Sequence, residues 1–209
     1  MKIISLLLLF ATTAILSHGQ DYRKMANPTE CRNALQAQHN STSSLSAVFT
    51  ERIYSSMYES SKKSNGKLLY KRSQKIRWEI VSPRKQVILI NGNSIRINEE
   101  GKEVASNSSG AVAKKIQKMM INLISGDFLN EKDFAISYFE NNLSYKLVLM
   151  PKNQSLSKYI SSIVLIFDRK KMMLSEMSLI ESETDKVVYS FTSVVVNQNI
   201  NDNKFLSFE

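Results

Sequence analysis

Apolar and polar residues alternate along most of the chain, and this period of two predicts β-strands. In the segment LLYKRSQKIRWEIVSP, residues 68–83, Leu68 and Tyr70 fall on one face of a strand and Arg72 is the next residue on that face. A second strand follows, with three apolar residues on one face: Ile76, Trp78 and Ile80. Its other face is charged: Lys75, Arg77 and Glu79. The pattern predicts two strands with apolar faces and one arginine on the apolar side.

Turn residues divide the remaining alternating pattern into strands of ordinary length. Pro83 ends the strand that carries Trp78, because proline cannot donate to a ladder. The run QVILINGNSIRIN predicts a hairpin with a type I′ turn at Asn91–Gly92, and Gly101 marks the next turn. In the second half, further turns fall at two dipeptides: Asn141–Asn142 and Arg169–Lys170. We expect an antiparallel meander of about ten or eleven strands in which each strand pairs with the next, and sheets this wide curl or close.

Two segments have helical rather than strand periodicity. Between Gly110 and Gly126, five apolar residues recur at helical spacing with lysines opposite: Val112, Ile116, Met119, Met120 and Leu123. Near the N-terminus, TECRNALQAQHN predicts a short helix with Thr29 as its N-cap. These two helices are the segments that could cover the concave face of a curled sheet. The periodicity is compatible both with a solid core and with a lidded cavity.

The first residues have the pattern of a secretory signal peptide. Lys2 is followed by an unbroken apolar run and then by small residues up to Gly19. A membrane anchor is the alternative, but it needs about 20 apolar residues and this run is shorter. Cys31 lies too far downstream to carry a bacterial lipid anchor. We therefore expect residues 1–19 to be removed and residues 20–209 to form one exported, soluble domain.

Charge and cysteine content limit the partners and the covalent chemistry. The formal net charge is +9, or +8 without Lys2. In an exported protein this charge favours anionic lipid head groups, membrane surfaces or acidic partners over nucleic acid, although solubility explains it equally well. A single cysteine excludes an internal disulfide. Cys31 is then a free thiol, a dimer link or, as we expect, an incidental residue in a mobile leading segment.

Side chains for catalysis or metal binding are scarce. His39 is the only histidine after residue 19, so neither a nucleophilic triad nor a His/Cys metal site has support. The sequence contains no glycine-rich phosphate loop and no aromatic stacking platform for nucleic acid. We expect no enzyme activity, no metal, no cofactor and no nucleic-acid partner. Seven methionines in the predicted elements favour an adaptable apolar cavity, although core packing explains any single one: Met57, Met119, Met120, Met150, Met172, Met173 and Met177.

The order of motifs resembles the LolA family of periplasmic lipoprotein carriers. The resemblance rests on a strand SAVFTERI, then GKLLYKR, KIRWEI, a proline and QVILINGNSIRI, and in element order it extends from about residue 45 to residue 197. It implies an incomplete β-barrel, in which one strongly curved antiparallel sheet is covered by α-helices and encloses a hydrophobic cavity for acyl chains. Members of the family take lipoproteins from an ABC transporter in the inner membrane and carry them toward the outer membrane.

The resemblance also implies roles for particular residues. Arg72 matches the family's arginine that hydrogen-bonds backbone carbonyls of the lid and keeps the empty cavity closed; the alternative is an arginine that reaches from a strand end to water. The lid would be the helix of residues 112–123. The family often has proline directly after the arginine, and Ser73 in its place predicts a looser turn. The cavity wall would comprise the apolar faces of both strands: Leu68, Tyr70, Ile76, Trp78 and Ile80.

The resemblance implies a monomeric periplasmic carrier. Its partners would be the acyl chains of lipoproteins or other lipids and an inner-membrane ABC transporter of the Lol type, while an outer-membrane acceptor stays an open question. A second interpretation is a lipid sensor or scaffold that acts through a protein partner, as in sigma-factor regulators with related half-barrels. An acyl hydrolase or transferase is a third, but the chain offers no base beyond His39.

Overall fold

Twelve strands form a single antiparallel sheet in the computed structural model, which describes residues 21–104, 129 and 133–209. In chain order the strands are β1 (Arg23–Lys24), β2 (Ser44–Tyr54), β3 (Lys62–Lys71), β4 (Lys75–Ser82), β5 (Gln86–Asn91), β6 (Ser94–Glu99), β7 (Lys102–Val104), β8 (Phe134–Glu140), β9 (Ser144–Pro151), β10 (Ser162–Asp168), β11 (Leu174–Ile180) and β12 (Lys186–Val196). The helical elements of the described residues are α1 (Thr29–Ser41), α2 (Gln154–Ser157) and a 3₁₀ turn (Asp202–Phe205).

The sheet consists of two meanders joined through β12. The strand order is β1-β8-β9-β10-β11-β12-β2-β3-β4-β5-β6-β7, so β12 pairs with β2 and the short β1 pairs with β8. Among the described residues β1 and β7 are the two edges, and they do not pair with each other, so this sheet is open. The prediction of one antiparallel sheet is confirmed, but the count of about ten or eleven strands and the pairing of every strand with its successor are wrong. Periodicity misses β1 because β1 has only two residues, and it carries no information on long-range pairing.

The hairpin between β5 and β6 has a different turn from the predicted one. Asn91 pairs with Ser94, so Gly92 and Asn93 are the two turn residues. Gly92 has a φ of 59°, whereas Asn93 is not among the residues with positive φ. A type I′ turn needs positive φ at both positions, so the prediction is wrong, and positive φ at the first position alone is the type II′ pattern. Positive φ at both positions occurs instead in the next turn, at Glu100–Gly101.

The turn between β3 and β4 carries Arg72 and is tight. Lys71 pairs with Lys75, and the intervening Ser73 and Gln74 have φ values of 73° and 59°. Non-glycine residues rarely adopt such values, which cost about 1–3 kcal/mol each. The expectation of a looser turn at Ser73 is therefore wrong. Proline could not occupy this position, because its φ is fixed at about −65°.

One face of the sheet shares an apolar core with α1. Cys31 and Leu35 of α1 are buried in a cluster with side chains from β2–β5 and β8–β12. The predicted short helix is confirmed, but Thr29 is its first helical residue rather than its N-cap, and the Thr29 N–H donates to Oδ1 of Asn27 at 3.0 Å. Cys31 is 4% exposed within the helix, which corrects the expectation of an incidental residue in a mobile segment.

The C-terminal residues cover the opposite face of β4 and β5. Phe205 in the 3₁₀ turn is buried, and the turn contacts both strands. Arg77 donates through Nη1 to the carbonyl oxygen of Ser207 at 2.7 Å and through Nη2 to that of Phe208 at 3.0 Å, while Nε pairs with Glu79. Arg77 is consequently only 6% exposed. Alternation puts Arg77 on this face, and the structure shows that the face is covered.

Two predicted segments lie outside the described residues. One is the signal peptide of residues 1–19. The other is the helix between Gly110 and Gly126 with its five apolar residues: Val112, Ile116, Met119, Met120 and Leu123. In the part of the chain that the structure describes, no helix has both the length and the apolar character needed to cross a membrane.

Candidate functional site

An apolar pocket of about 100 Å³ lies between α1 and the sheet. α1 contributes Leu35, Gln38 and His39, and Thr42 follows directly after the helix. The strands and Leu129 supply the apolar part of the lining: Leu45, Ala47, Leu68, Tyr70, Leu129, Phe167, Leu174, Phe191 and Val194. A concave, mostly apolar lining with few polar groups is the usual form of a site for an apolar ligand.

The lining residues lie at one end of the sheet. Tyr70 is near the end of β3, Phe167 is near the end of β10, and Leu45 is near the start of β2. Met172 and Met173 complete this end from the turn between β10 and β11, and both are half-buried. The lining therefore extends to the end of the sheet that carries the β3–β4 and β10–β11 turns, and we call this end of the pocket the mouth.

The methionines named from the sequence occupy different environments. Met172 and Met173 line the mouth, and Met177 is fully buried in the core. Met57 is 83% exposed in the loop after β2, and Met150 is 57% exposed on β9. A cavity role is therefore wrong for Met57 and Met150, because their side chains face solvent.

The predicted wall residues divide into two groups. Leu68 and Tyr70 line the pocket and are buried. Trp78 packs against Phe49 at a ring-centroid distance of 4.3 Å and meets Tyr189 edge-on at 5.1 Å. Three of the predicted residues belong to the apolar core but not to the described lining: Ile76, Trp78 and Ile80. The sheet brings the whole set to one face, and contact with a ligand stays a prediction.

Arg72 connects the β3–β4 turn to the end of α1. It is exposed and follows the last residue of β3, but its Nη2 donates to the carbonyl oxygen of Asn40 at 2.6 Å and to that of Thr42 at 3.1 Å. The carbonyl oxygen of His39 lies 3.5 Å away. The last carbonyls of a helix have no partner within the helix and carry partial negative charge, so they suit a guanidinium. The contact ties the sheet to the helix beside two residues that line the pocket, His39 and Thr42.

A buried carboxylate on the apolar face was not identified from the sequence. Glu51 of β2 is 8% exposed and lies opposite Tyr189 in the pairing of β2 with β12. Burial raises the pKa of Tyr189 well above its ordinary value, and the neighbouring charge of Glu51 raises it further. The signal that could have located Glu51 is its alternation with Ala47 and Phe49, which are both buried.

Charged residues of the β10–β11 turn stand beside the mouth. Oδ1 of Asp168 accepts the backbone N–H of Lys171 at 2.8 Å and that of Lys170 at 2.9 Å, and these bonds lower the pKa of Asp168. Arg169 pairs with Glu140 at 3.4 Å. The side chains of Lys170 and Lys171 are exposed. The carboxylate of Asp168 is thus hydrogen-bonded to the backbone of the turn, and the side chains of Lys170 and Lys171 extend into solvent next to the pocket.

The fold and the pocket define the class of the protein. It has an open antiparallel sheet whose apolar face, packed against a helix, lines an apolar pocket. Within residues 21–104, 129 and 133–209, no three His, Cys, Asp or Glu side chains come together as metal ligands. The family described as "Outer membrane lipoprotein carrier protein LolA" matches residues 40–207, and the chain belongs to this family. The resemblance recognised in the motifs is confirmed.

Relatives with known names or structures are similar to this chain at low identity. The outer-membrane lipoprotein carrier proteins of Coxiella burnetii strains CbuK_Q154 and RSA 493 are 23% and 25% identical over 143 residues, which are 68% of this chain. The chain spans 65% of the length of these relatives. A LolA superfamily protein from Nitrosomonas europaea has 11% identity and a TM-score of 0.41, with 83% of this chain and 96% of that chain covered. A chain of the Pseudomonas aeruginosa MucA/MucB complex has 10% identity and a TM-score of 0.42, with 86% of this chain and 60% of that chain covered.

Proposed function

We propose that this protein is a periplasmic carrier that binds the acyl chains of lipoproteins in the pocket beneath α1. In this proposal residues 1–19 direct export, an ABC transporter of the inner membrane supplies the lipoprotein, and the protein carries it toward the outer membrane. The observation that supports the proposal is an apolar pocket between α1 and the sheet in a chain of the lipoprotein-carrier family.

The pocket must enlarge to accept an acyl chain. Its volume of about 100 Å³ is below the roughly 300–1,000 Å³ of sites that bury a small ligand. α1 forms one wall of the pocket, and Arg72 ties the end of α1 to the β3–β4 turn. Movement of α1 away from the sheet would open the pocket. We therefore assign the arrangement with Arg72 bound to α1 to a closed state and Arg72 to the role of latch.

Energetics also require a state that competes with loading. Burial of a chain of about sixteen carbons contributes about 12 kcal/mol, at about 0.8 kcal/mol per methylene. Three fully buried chains would exceed the roughly 18–21 kcal/mol at which non-covalent affinity saturates, and such cargo would not be released. The contacts of Arg72 to α1 stabilise the empty state and so oppose loading. Because Arg72 is exposed, each contact is weak, so an acylated ligand can displace it and release of the cargo also requires that the chains are only partly buried.

Native mass spectrometry of residues 20–209 with a triacylated peptide tests the proposal. We expect a one-to-one complex with the acylated peptide and none with the same peptide lacking acyl chains. Val194→Asp should abolish the complex because Val194 lines the pocket. The adjacent Val195 is 44% exposed, so Val195→Asp should bind like the wild type, and circular dichroism checks that both variants are folded.

A folded wild-type protein that binds no acylated ligand would refute the carrier. Co-purification of a stable protein partner in that case would support a sensor or scaffold that acts through a protein. If Val194→Asp binds the peptide as tightly as the wild type does, the acyl chains bind at another part of the molecule.

A further inference from the structure

The mouth of the pocket is cationic. Arg72 stands on the β3–β4 turn, and Lys170 and Lys171 stand on the β10–β11 turn directly before the lining residues Met172 and Met173. The side chains of all three cations are exposed. Two turns from distant parts of the chain therefore bring three positive charges to the end of the pocket where a bound acyl chain would leave the protein.

The acids described near this end of the sheet have identified partners. Asp168 accepts the backbone N–H groups of Lys170 and Lys171, and its charge also attracts the side chains of these two lysines. Glu140 pairs with Arg23 and Arg169, and Asp202 pairs with two lysines of β3 and β4. In the described chain, no ion pair includes any of the three mouth cations: Arg72, Lys170 and Lys171. The three cations outnumber Asp168, so these described residues leave a net positive charge at the mouth for a ligand.

Arg72 keeps hydrogen-bond donors for a further partner. Its contacts to the carbonyls of His39, Asn40 and Thr42 all use Nη2. A guanidinium carries five N–H donors on three nitrogen atoms. Among the described residues, Nε and Nη1 of Arg72 form no hydrogen bond. An oxyanion can therefore approach the guanidinium while α1 is still in place.

We propose that the mouth binds a net-anionic, phosphate-type head group of an acylated ligand whose chains occupy the pocket. The inference rests on the proposed function and favours, among acylated ligands, those with an anionic group next to the chains. An anion that binds Nη1 and Nη2 of Arg72 together replaces the α1 carbonyls, because a bidentate ion pair is stronger than bonds to neutral carbonyls. Head-group binding then frees the end of α1 and opens the pocket for the chains.

Two soluble lipids with identical chains test the inference. The wild-type protein is titrated with dioctanoyl-phosphatidylglycerol, which is anionic, and with dioctanoyl-phosphatidylcholine, which is zwitterionic. We expect the anionic lipid to bind about tenfold more tightly, because it is attracted by the net positive charge of the mouth and pairs with the cations that its head group reaches. The preference should disappear at about 0.5 M salt, where exposed charges are screened.

Matched double variants assign the preference to the mouth. Lys170→Ala/Lys171→Ala should bring the two affinities within about twofold of each other, because only Arg72 remains. Lys62→Ala/Lys63→Ala, an adjacent exposed pair at the opposite end of the sheet, should keep the wild-type preference. Inorganic phosphate at equal concentration should not displace the anionic lipid, because it lacks the chains.

Each contrary result has a distinct meaning. Equal affinity of the wild type for both lipids would overturn the head-group site and leave the acyl-chain carrier intact. A folded protein that binds neither lipid would overturn both proposals. A preference that survives Lys170→Ala/Lys171→Ala would overturn the assignment to the mouth. Displacement by inorganic phosphate would make the mouth a site for the free ion rather than for a lipid.

Discussion

Nη2 of Arg72 lies 2.6 Å from the carbonyl oxygen of Asn40, and this contact joins the β3–β4 turn to the end of α1. The turn itself is strained, because Ser73 and Gln74 both have positive φ. The pairing of β3 with β4 fixes the two ends of the turn, and Arg72 links the turn to α1. Movement of α1 therefore breaks the contact without disturbing the pairing of the strands.

Arg72→Ala should loosen the end of α1 and shift the protein away from its closed state. We expect amide hydrogen exchange at residues 40–42 to become roughly two- to fivefold faster, which corresponds to the free energy of one exposed charged contact. Uptake of an acyl probe should become faster and its release slower, since the empty state is no longer favoured. Arg84→Ala is the control, because Arg84 is exposed in a turn at the opposite end of the sheet. If uptake and release both keep their wild-type rates, Arg72 is not a latch.

Cys31 can report directly on movement of α1. It lies on the buried side of α1 and is 4% exposed, and burial raises the pKa of its thiol to about 11, with a further contribution from Glu140. Iodoacetamide needs an accessible thiolate, so we expect alkylation at about pH 8 to be slow in the empty protein and about tenfold faster with the triacylated peptide bound.

An exposed thiol on the same helix is the control for this experiment. Asn33→Cys in a Cys31→Ala chain places a thiol on the exposed side of α1. Its alkylation should be fast and independent of the peptide. Equal protection of Cys31 in the empty and loaded protein would mean that α1 stays in place during loading.

Arg77→Ala should destabilise the protein by about 3 kcal/mol, because it removes a buried side chain and leaves the carbonyls of Ser207 and Phe208 and the carboxylate of Glu79 without their partner. Urea unfolding measures the loss. Arg96 is a matched control, since it also binds a backbone carbonyl, that of Leu206, and a carboxylate, that of Glu103, but its side chain is 42% exposed. We expect a much smaller loss for Arg96→Ala, and an equal loss would contradict the role of burial.

A side chain at Gly66 would collide with the core. A Cβ there would overlap the ring of Phe49 and the backbone oxygen of Glu79. We expect Gly66→Ala to lower the free energy of unfolding by about 3 kcal/mol, and Phe49→Leu in the same chain to recover part of that loss. At Gly92 a Cβ meets open space and only the φ of 59° is unfavourable, so Gly92→Ala should cost about 1 kcal/mol. Similar losses at both glycines would rule out the overlap.

Features that depend on neighbouring residues were predictable from the sequence. Alternation across residues 68–83 located the two strands, and β4 ends at Ser82, directly before Pro83 as predicted. Arg72 was expected on the apolar face of the first strand, but it follows the last residue of β3 and is exposed in the turn. The turn near Gly92 was placed correctly to within one residue, but its type was not. The type depends on the register in which β5 pairs with β6, and the dipeptide alone does not contain that register.

Features that depend on distant parts of the chain were not predictable. Alternation shows on which face a residue lies but not what covers that face. Arg77 is buried by contacts with residues about 130 positions later in the chain, and the local sequence pattern does not predict these contacts. The pocket likewise combines α1 with β10–β12, so Lys170 and Lys171 could be recognised from the sequence only as turn residues.

The pairing of β2 with β12 also determines when the sheet can be completed during synthesis. Lys186 pairs with Tyr54 and Val196 with Leu45, so the centre of the sheet cannot form until β12 has been made. Closing such a long loop costs chain entropy and makes this step late. Until then β2 exposes an unpaired edge to which other chains can add. A change that weakens β12 should therefore reduce the yield of native protein through aggregation before it reduces affinity for lipid.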